Sequence, residues 1–95
     1  MTIVFEYAII ELTNINNSMS KYNKWYTNIT EQAKNRVLET YTESHHIQPR
    51  SLGGSDEANN LVNLTAREHF VCHWLLVKMT TGQDHHKMLN ALRMM

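Results

Sequence analysis

One cysteine, one proline and three glycines stand among 95 residues, and nine lysines and arginines are matched by nine aspartates and glutamates. Each scarcity excludes something. With Cys72 alone, no disulfide forms within the chain, and the paired Cys-x-x-Cys of a zinc ribbon is absent. That cysteine usage suits a reducing, intracellular compartment. Zero formal charge removes the basic surface that usually drives phosphate binding. A nucleic-acid partner would then have to be met through a metal ion, a local basic patch or a second domain. Long hydrophobic runs are missing too. Met1–Leu12 is apolar at Ile3, Val4, Phe5, Tyr7, Ala8, Ile9, Ile10 and Leu12, but Glu6 and Glu11 interrupt it and no basic residue precedes it. It is too short for a membrane span and wrongly flanked for a signal peptide, so no membrane partner is expected.

What is present is the composition of a small globular chain, 42% hydrophobic. A domain of this size buries roughly 60–65% of its unfolded surface, so its stability is marginal and a bound metal ion would matter to it. Residues 1–12 fit a strand or the start of a helix, and Thr13–Ser20 is polar and turn-forming, a linker. From about Ser20, a plausible N-cap, to Thr40, apolar residues recur at spacings of three and four (Tyr22, Trp25, Tyr26, Ile29, Ala33, Val37), which predicts a helix. Tyr41–Ile47 and Asn60–Leu64 read as short strands. The intervening Gln48–Asn59 holds the proline and two glycines and reads as an irregular loop. Thr65 is placed to cap a helix over Ala66–Thr80, with Phe70, Trp74, Val77 and Met79 on its apolar surface and Gly82 closing it. Asp84 is placed to cap a last helix from His85. The pattern is α+β. The organisation it suggests is an N-terminal segment and linker over 1–19, the main domain over 20–82, and a C-terminal helix over 83–95 that opens a longer protein's next region.

The histidines carry the chemistry. His69 and His73 lie four apart on the predicted helix, where side chains share a face about 5–6 Å apart at Cβ, close enough for both imidazoles to meet one ion. The pair by itself is weak evidence. His45-His46 strengthens it, because neighbours on an extended segment point to opposite faces. One of the two can join the His69/His73 pair as a third ligand. The other, held away from the ion, is left to take a proton from water, as an imidazole of ordinary pKa, about 6.5, does at neutral pH. A Lewis acid and a general base are the two requirements of phosphodiester hydrolysis, and three protein ligands leave the ion open positions.

The series Glu43-Ser44-His45-His46-Ile47, Pro49, Gly53-Gly54, Asn60-Leu61-Val62, His69 and His73 resembles the HNH endonuclease motif, the ββα-metal fold. The resemblance covers about residues 41–76. Tyr26, Ala33, Arg36 and the run TAREHFVCHWLL extend it toward the homing-type HNH endonucleases of tailed phages. It implies a small ββα-metal motif with flanking helices and a metal-dependent DNA endonuclease. His45, His69 and His73 would be ligands, His46 the general base, and Asn60, rather than the nearby Asn63, the residue that orients it. In some branches that asparagine binds the metal instead. Glu43 would play a supporting part, and Arg50 and Arg67 would touch DNA phosphates. The cofactor implied is one divalent ion (Mg²⁺, Mn²⁺, Ni²⁺ or Zn²⁺). The partner is DNA, cut by a monomer or homodimer, in the host cytoplasm if the chain is phage-encoded. Two other readings stand beside it: a zinc-stabilised nucleic-acid-binding module without catalysis, in which Cys72 is a possible ligand, and a weakly active truncated nuclease. His85-His86 repeats the dipeptide without its downstream partners and reads as helix surface.

Overall fold

Apolar and small residues three and four apart put one face of the first described helix, α1 (Asn17–Lys34), against the rest of the molecule. The computed structural model describes residues 17–95, with side chains from residue 21 onward. The expectations for Met1–Leu12 and for the linker up to residue 16 lie outside the described residues. Asn23, Tyr26, Thr30 and Ala33 are the buried positions of α1. Thr30 satisfies its hydroxyl on the Tyr26 carbonyl at 3.1 Å, which lets a polar side chain sit in the interface.

The helix differs from the expectation at both ends. It already includes residues 17–20, so Ser20 lies inside it and is no cap. It also stops at Lys34 rather than near Thr40. Asn35 ends it, its side-chain amide donating to the Glu31 carbonyl at 3.0 Å and its backbone N–H to Gln32 at 3.2 Å. Val37, expected on the apolar face, is 92% exposed.

Strand β1 (Glu43–His46) pairs antiparallel with β2 (Leu61–Leu64), Glu43 opposite Leu64 and His45 opposite Val62. Directly opposed residues share a face. Glu43, His45, Val62 and Leu64 therefore turn inward, while Ser44, His46, Leu61 and Asn63 turn outward. The loop between the strands contains two single 3₁₀ turns, Arg50–Leu52 and Ala58–Asn60. Gly54 packs so tightly beneath Gln48 that a Cβ there would lie 1.8 Å from the Gln48 carbonyl oxygen.

Helix α2 (Ala66–Met79) follows at once, started by the Thr65 cap that the sequence predicts, which Glu68 completes as a capping box. The Thr65 hydroxyl accepts from Glu68 N–H at 3.2 Å, and Thr65 N–H donates to the Glu68 carboxylate at 2.9 Å. Cys72, Leu75, Leu76, Val77 and Met79 are its buried residues. Phe70 and Trp74, expected to supply its apolar surface, are 51% and 48% exposed, because the histidines and Cys72 take the inward positions of that part of the helix. Gly82 does not close α2. It is the first residue of α3 (Gly82–Arg93), where its φ of +63° turns the chain back, and Thr80 ends α2 with its hydroxyl on the Leu76 carbonyl at 2.7 Å.

Helix α2 is the central element, packed by α1, α3 and the two-stranded sheet. The core joins Tyr26 and Ala33 of α1, Ile47, Val62 and Leu64 of the sheet region, the buried face of α2, and Met88 of α3. Among the described residues, no helix is long and apolar enough to cross a membrane. The arrangement is mixed α+β, two antiparallel strands laid against a helix with further helices flanking them.

Candidate metal centre and general base

Strand alternation divides the two adjacent histidines, and burial shows which goes where. His45 points inward and is 2% exposed. It meets His69 and His73, which one turn of α2 places on a common face. Ring centroids lie 5.2 Å apart for His45–His69, 5.3 Å for His45–His73 and 4.8 Å for His69–His73. One nitrogen from each ring lies within 4.8 Å of the others, the one group of three or more such side chains able to hold a metal ion among the described residues. Two nitrogens on a tetrahedral ion at roughly 2.1 Å each are ~3.4 Å apart, a closure that small side-chain rotations supply.

The surroundings suit coordination. Burial, with the nearby His73, His69 and His46, pushes the His45 pKa down to about 3, and burial with His69 pushes that of His73 down to about 4. Both rings are thus neutral with a lone pair available, the form that binds a metal. His73 Nδ1 is buried and has no hydrogen-bond partner. His69 Nδ1 lies 2.7 Å from Glu43 Oε1, and a carboxylate only accepts, so that nitrogen carries the hydrogen and Nε2 carries the lone pair. Carboxylate support behind a histidine is the usual way to orient a metal ligand. Glu43 in turn accepts from the Tyr41 hydroxyl at 2.6 Å; that hydrogen bond, and then the one with His69, hold its carboxyl below the usual range.

His46, turned outward, is separated from the cluster. Its Nε2 lies 2.7 Å from Asp56 Oδ1. Asp56 is held below the ordinary carboxylate range by that hydrogen bond and then by the charge of Arg50, whose Nε is 3.7 Å away. An ionised carboxylate accepts, so Nε2 of His46 bears the hydrogen and Nδ1 the lone pair.

Asn60 is fully buried, and its side-chain amide is spent on backbone groups of the loop. It acts on the backbone beside it. Its Oδ1 accepts from Gln48 N–H at 2.8 Å, its Nδ2 donates to the carbonyls of Gln48 at 3.0 Å and Ser55 at 2.7 Å, and its own carbonyl accepts from Ile47 N–H at 2.8 Å. The residues just after His46 are thereby stapled to the far side of the loop. Asn63, the neighbour that might be confused with it, is exposed on the outer face of β2.

Arg50 lies at the loop's first turn with its side chain 71% exposed, and Arg67 is exposed in the first turn of α2. Cys72 is 0% exposed, and burial pushes its thiol up to about 12, so it packs as a protonated core residue outside the histidine cluster. His85 is less simply a surface residue than the sequence suggests, since its Nδ1 lies 2.9 Å from the Val77 carbonyl and ties α3 to α2.

Two neighbours of the site escape a reading of the sequence alone. Asp56 has no spacing signal, because it reaches His46 across an irregular loop. Tyr26 reads as a core aromatic, yet its hydroxyl lies 2.8 Å from His45 Nε2. A third contact is structural. Arg36 makes a two-pronged pair with the Glu68 carboxylate, Nη1 to Oε2 at 2.8 Å and Nη2 to Oε1, tying the segment after α1 to the start of α2.

Comparison with known proteins places this stretch of sequence beside one family. A family model described as HNH endonuclease matches residues 31–76. The chain is similar to "Probable mobile endonuclease D" of Enterobacteria phage T4, 51% identical over 63 residues, which is 61% of this chain and 24% of that protein. It is similar to "Probable mobile endonuclease E" of the same phage, 51% identical over 59 residues, 61% of this chain and 42% of that one. It is also similar to "Probable mobile endonuclease B", 44% identical over 75 residues, 74% of this chain and 27% of that one. The chain thus spans between a quarter and about two fifths of the length of these relatives. No solved structure matches it. Residues 31–76, just under half of the chain, match the HNH endonuclease family, and they include His45, His46, His69 and His73.

Proposed function

We propose that the chain is a metal-dependent, homing-type DNA endonuclease that hydrolyses phosphodiester bonds, cutting one strand per event and leaving a 5′-phosphate and a 3′-hydroxyl. One observation carries the reading. His45, His69 and His73 converge as nitrogen donors, while His46 on the same strand is turned away and held by a carboxylate. The names of the phage relatives, each a mobile endonuclease, support the homing type.

In this reading His45, His69 and His73 hold a divalent ion (Mg²⁺, Mn²⁺, Ni²⁺ or Zn²⁺), with Glu43 orienting His69. Such an ion, when bound, stabilises the charge that grows on the phosphate and on the leaving oxygen. His46 is the general base. Asp56 fixes its Nε2–H, and Nδ1 takes the proton of the attacking water. Asn60 supports the base through the backbone of Ile47 and Gln48. Arg50 and Arg67 meet DNA phosphates, local charge that an electrically neutral chain needs for DNA.

A single base implies that a monomer nicks and a homodimer makes a double-strand break. The nuclease unit takes in α1, the two strands and α2, with α3 packed on α2. If the chain is phage-encoded, its place of action is the cytoplasm of the host cell.

The test is supercoiled plasmid incubated with Mg²⁺, Mn²⁺, Ni²⁺, Zn²⁺ or chelator, with the wild-type chain and with His46→Ala. Metal-dependent nicking by the wild type and none by the variant is the expected result. Stoichiometric zinc with no nicking under any condition would replace the reading with a zinc-stabilised binding module.

A further inference from the structure

Tyr26 belongs to α1, outside the strand–loop–strand–helix unit that carries the four histidines, yet its hydroxyl ends inside that unit. The side chain is 2% exposed. Its hydroxyl lies 2.5 Å from the Ile47 carbonyl oxygen and 2.8 Å from His45 Nε2. A phenol has one hydrogen and a carbonyl oxygen has none, so the hydrogen of Tyr26 is given to Ile47. Toward His45 the same oxygen can then only accept. That requires a hydrogen on Nε2 and leaves the lone pair of the neutral ring on Nδ1.

The two contacts fall on either side of His46. One grips the ring of residue 45, the other the backbone of residue 47, and Ile47 N–H is held from the opposite side by the Asn60 carbonyl at 2.8 Å. The helix that delivers Tyr26 is itself anchored, through Arg36, to Glu68 at the start of α2. Since α2 carries His69 and His73, the phenol is referenced to the same helix as the other two rings.

We infer that Tyr26 is a positioning residue of the metal centre, holding His45 as the Nε2–H tautomer so that Nδ1 is the nitrogen offered to the ion. The inference rests on the metal-centre reading given above. It makes α1 part of the site and gives His45 an outer partner from a different element than Glu43, the partner of His69. Loss of such a partner typically lowers metal affinity 10–100-fold.

Two measurements test it. Long-range ¹H–¹⁵N correlation spectra of the metal-free wild-type chain should show His45 as the Nε2–H tautomer, and Tyr26→Phe should shift it toward a mixture. Zinc titration by calorimetry should show unchanged stoichiometry in Tyr26→Phe with affinity about 10–100-fold weaker. A wild-type His45 protonated on Nδ1 overturns the inference, and so does a folded Tyr26→Phe of wild-type affinity. If Tyr26→Phe does not fold, the wild-type tautomer decides alone. Wild-type protein that takes up no zinc, nor Mn²⁺ or Ni²⁺, overturns the metal-centre reading itself, whereas uptake with unchanged affinity in the variant overturns only the part given to Tyr26.

Discussion

His46 Nε2 and Asp56 Oδ1 lie 2.7 Å apart and join the last residue of β1 to the loop that returns to β2. The contact leaves His46 with a defined free nitrogen on the side of the strand away from the buried cluster. The two residues should therefore separate chemistry from metal binding. His46→Ala is expected to lower nicking by roughly 10²–10⁴-fold, the usual worth of a general base, with zinc affinity unchanged. Asp56→Ala, which removes an exposed partner, should cost less, about tenfold. Single-turnover cleavage and calorimetry on the same samples read both, and metal loss in His46→Ala would reverse the division between His45 and His46.

Removing the ion should cost stability as well as activity. At free metal about 100 times the dissociation constant, binding stabilises the native state by about 2.7 kcal/mol, and each kcal/mol moves the melting temperature of a domain this small by roughly 4–8 °C. Chelator is expected to lower Tm by roughly 10–20 °C in the wild type. His73→Ala should show almost no metal-dependent shift. Differential scanning fluorimetry with and without zinc makes the comparison, and an equal shift in both proteins would show that the ion binds elsewhere.

Gly54 should tolerate no side chain. A Cβ there falls 1.8 Å from the Gln48 oxygen that also accepts from Asn60 Nδ2. Gly54→Ala must push the loop off Asn60 and is expected to destabilise the fold by about 1–3 kcal/mol, with nicking reduced further because the backbone after His46 shifts. Gly53→Ala is a useful comparison. Its cost comes from the backbone, φ +93°, rather than from a clash, and it leaves the Asn60 contacts in place. Urea denaturation should rank Gly54→Ala as the more damaging of the two.

Acid should loosen the tie between the segment after α1 and the start of α2. The hydrogen bond from Arg36, together with the contacts of Thr65, lowers the Glu68 pKa from 4.5 to about 2. A carboxylate depressed in the folded state contributes its full share above the unfolded value and loses it as pH falls through the folded one. The contribution of Glu68 is thus complete above about pH 4.5 and gone below about pH 2. Glu68→Gln keeps the oxygen that accepts from Thr65 N–H but has no charge to titrate. Its urea midpoint should fall less steeply than the wild type's over that interval, and parallel curves would refute the coupling.

Much of the site is legible along the chain because its parts obey local periodicities. Four-residue spacing puts His69 and His73 on one face of any helix that holds them, and the alternation of a strand sends His45 and His46 to opposite sides. The capping box at Thr65 and Glu68 is equally local. Other parts depend on where the chain travels. The helix ends at Lys34, six residues before the expected end, because Asn35 closes it on Glu31 and the following residues run toward α2. Phe70 and Trp74 are apolar enough for a core, but histidines and Cys72 hold the inward positions of that turn.

The sequence by itself determined which histidines share a face and the strand–loop–strand–helix order, since each rests on residue types at short, regular spacings. Only the tertiary structure decided what stands behind each histidine. Glu43 lies 26 residues from His69, Tyr26 19 from His45, and Asp56 10 from His46 across an irregular loop. No periodicity links such pairs. They meet because α1 and the sheet bury their apolar faces on α2, and that packing brings polar groups within hydrogen-bond reach, where leaving them unpaired would cost about 1–3 kcal/mol each.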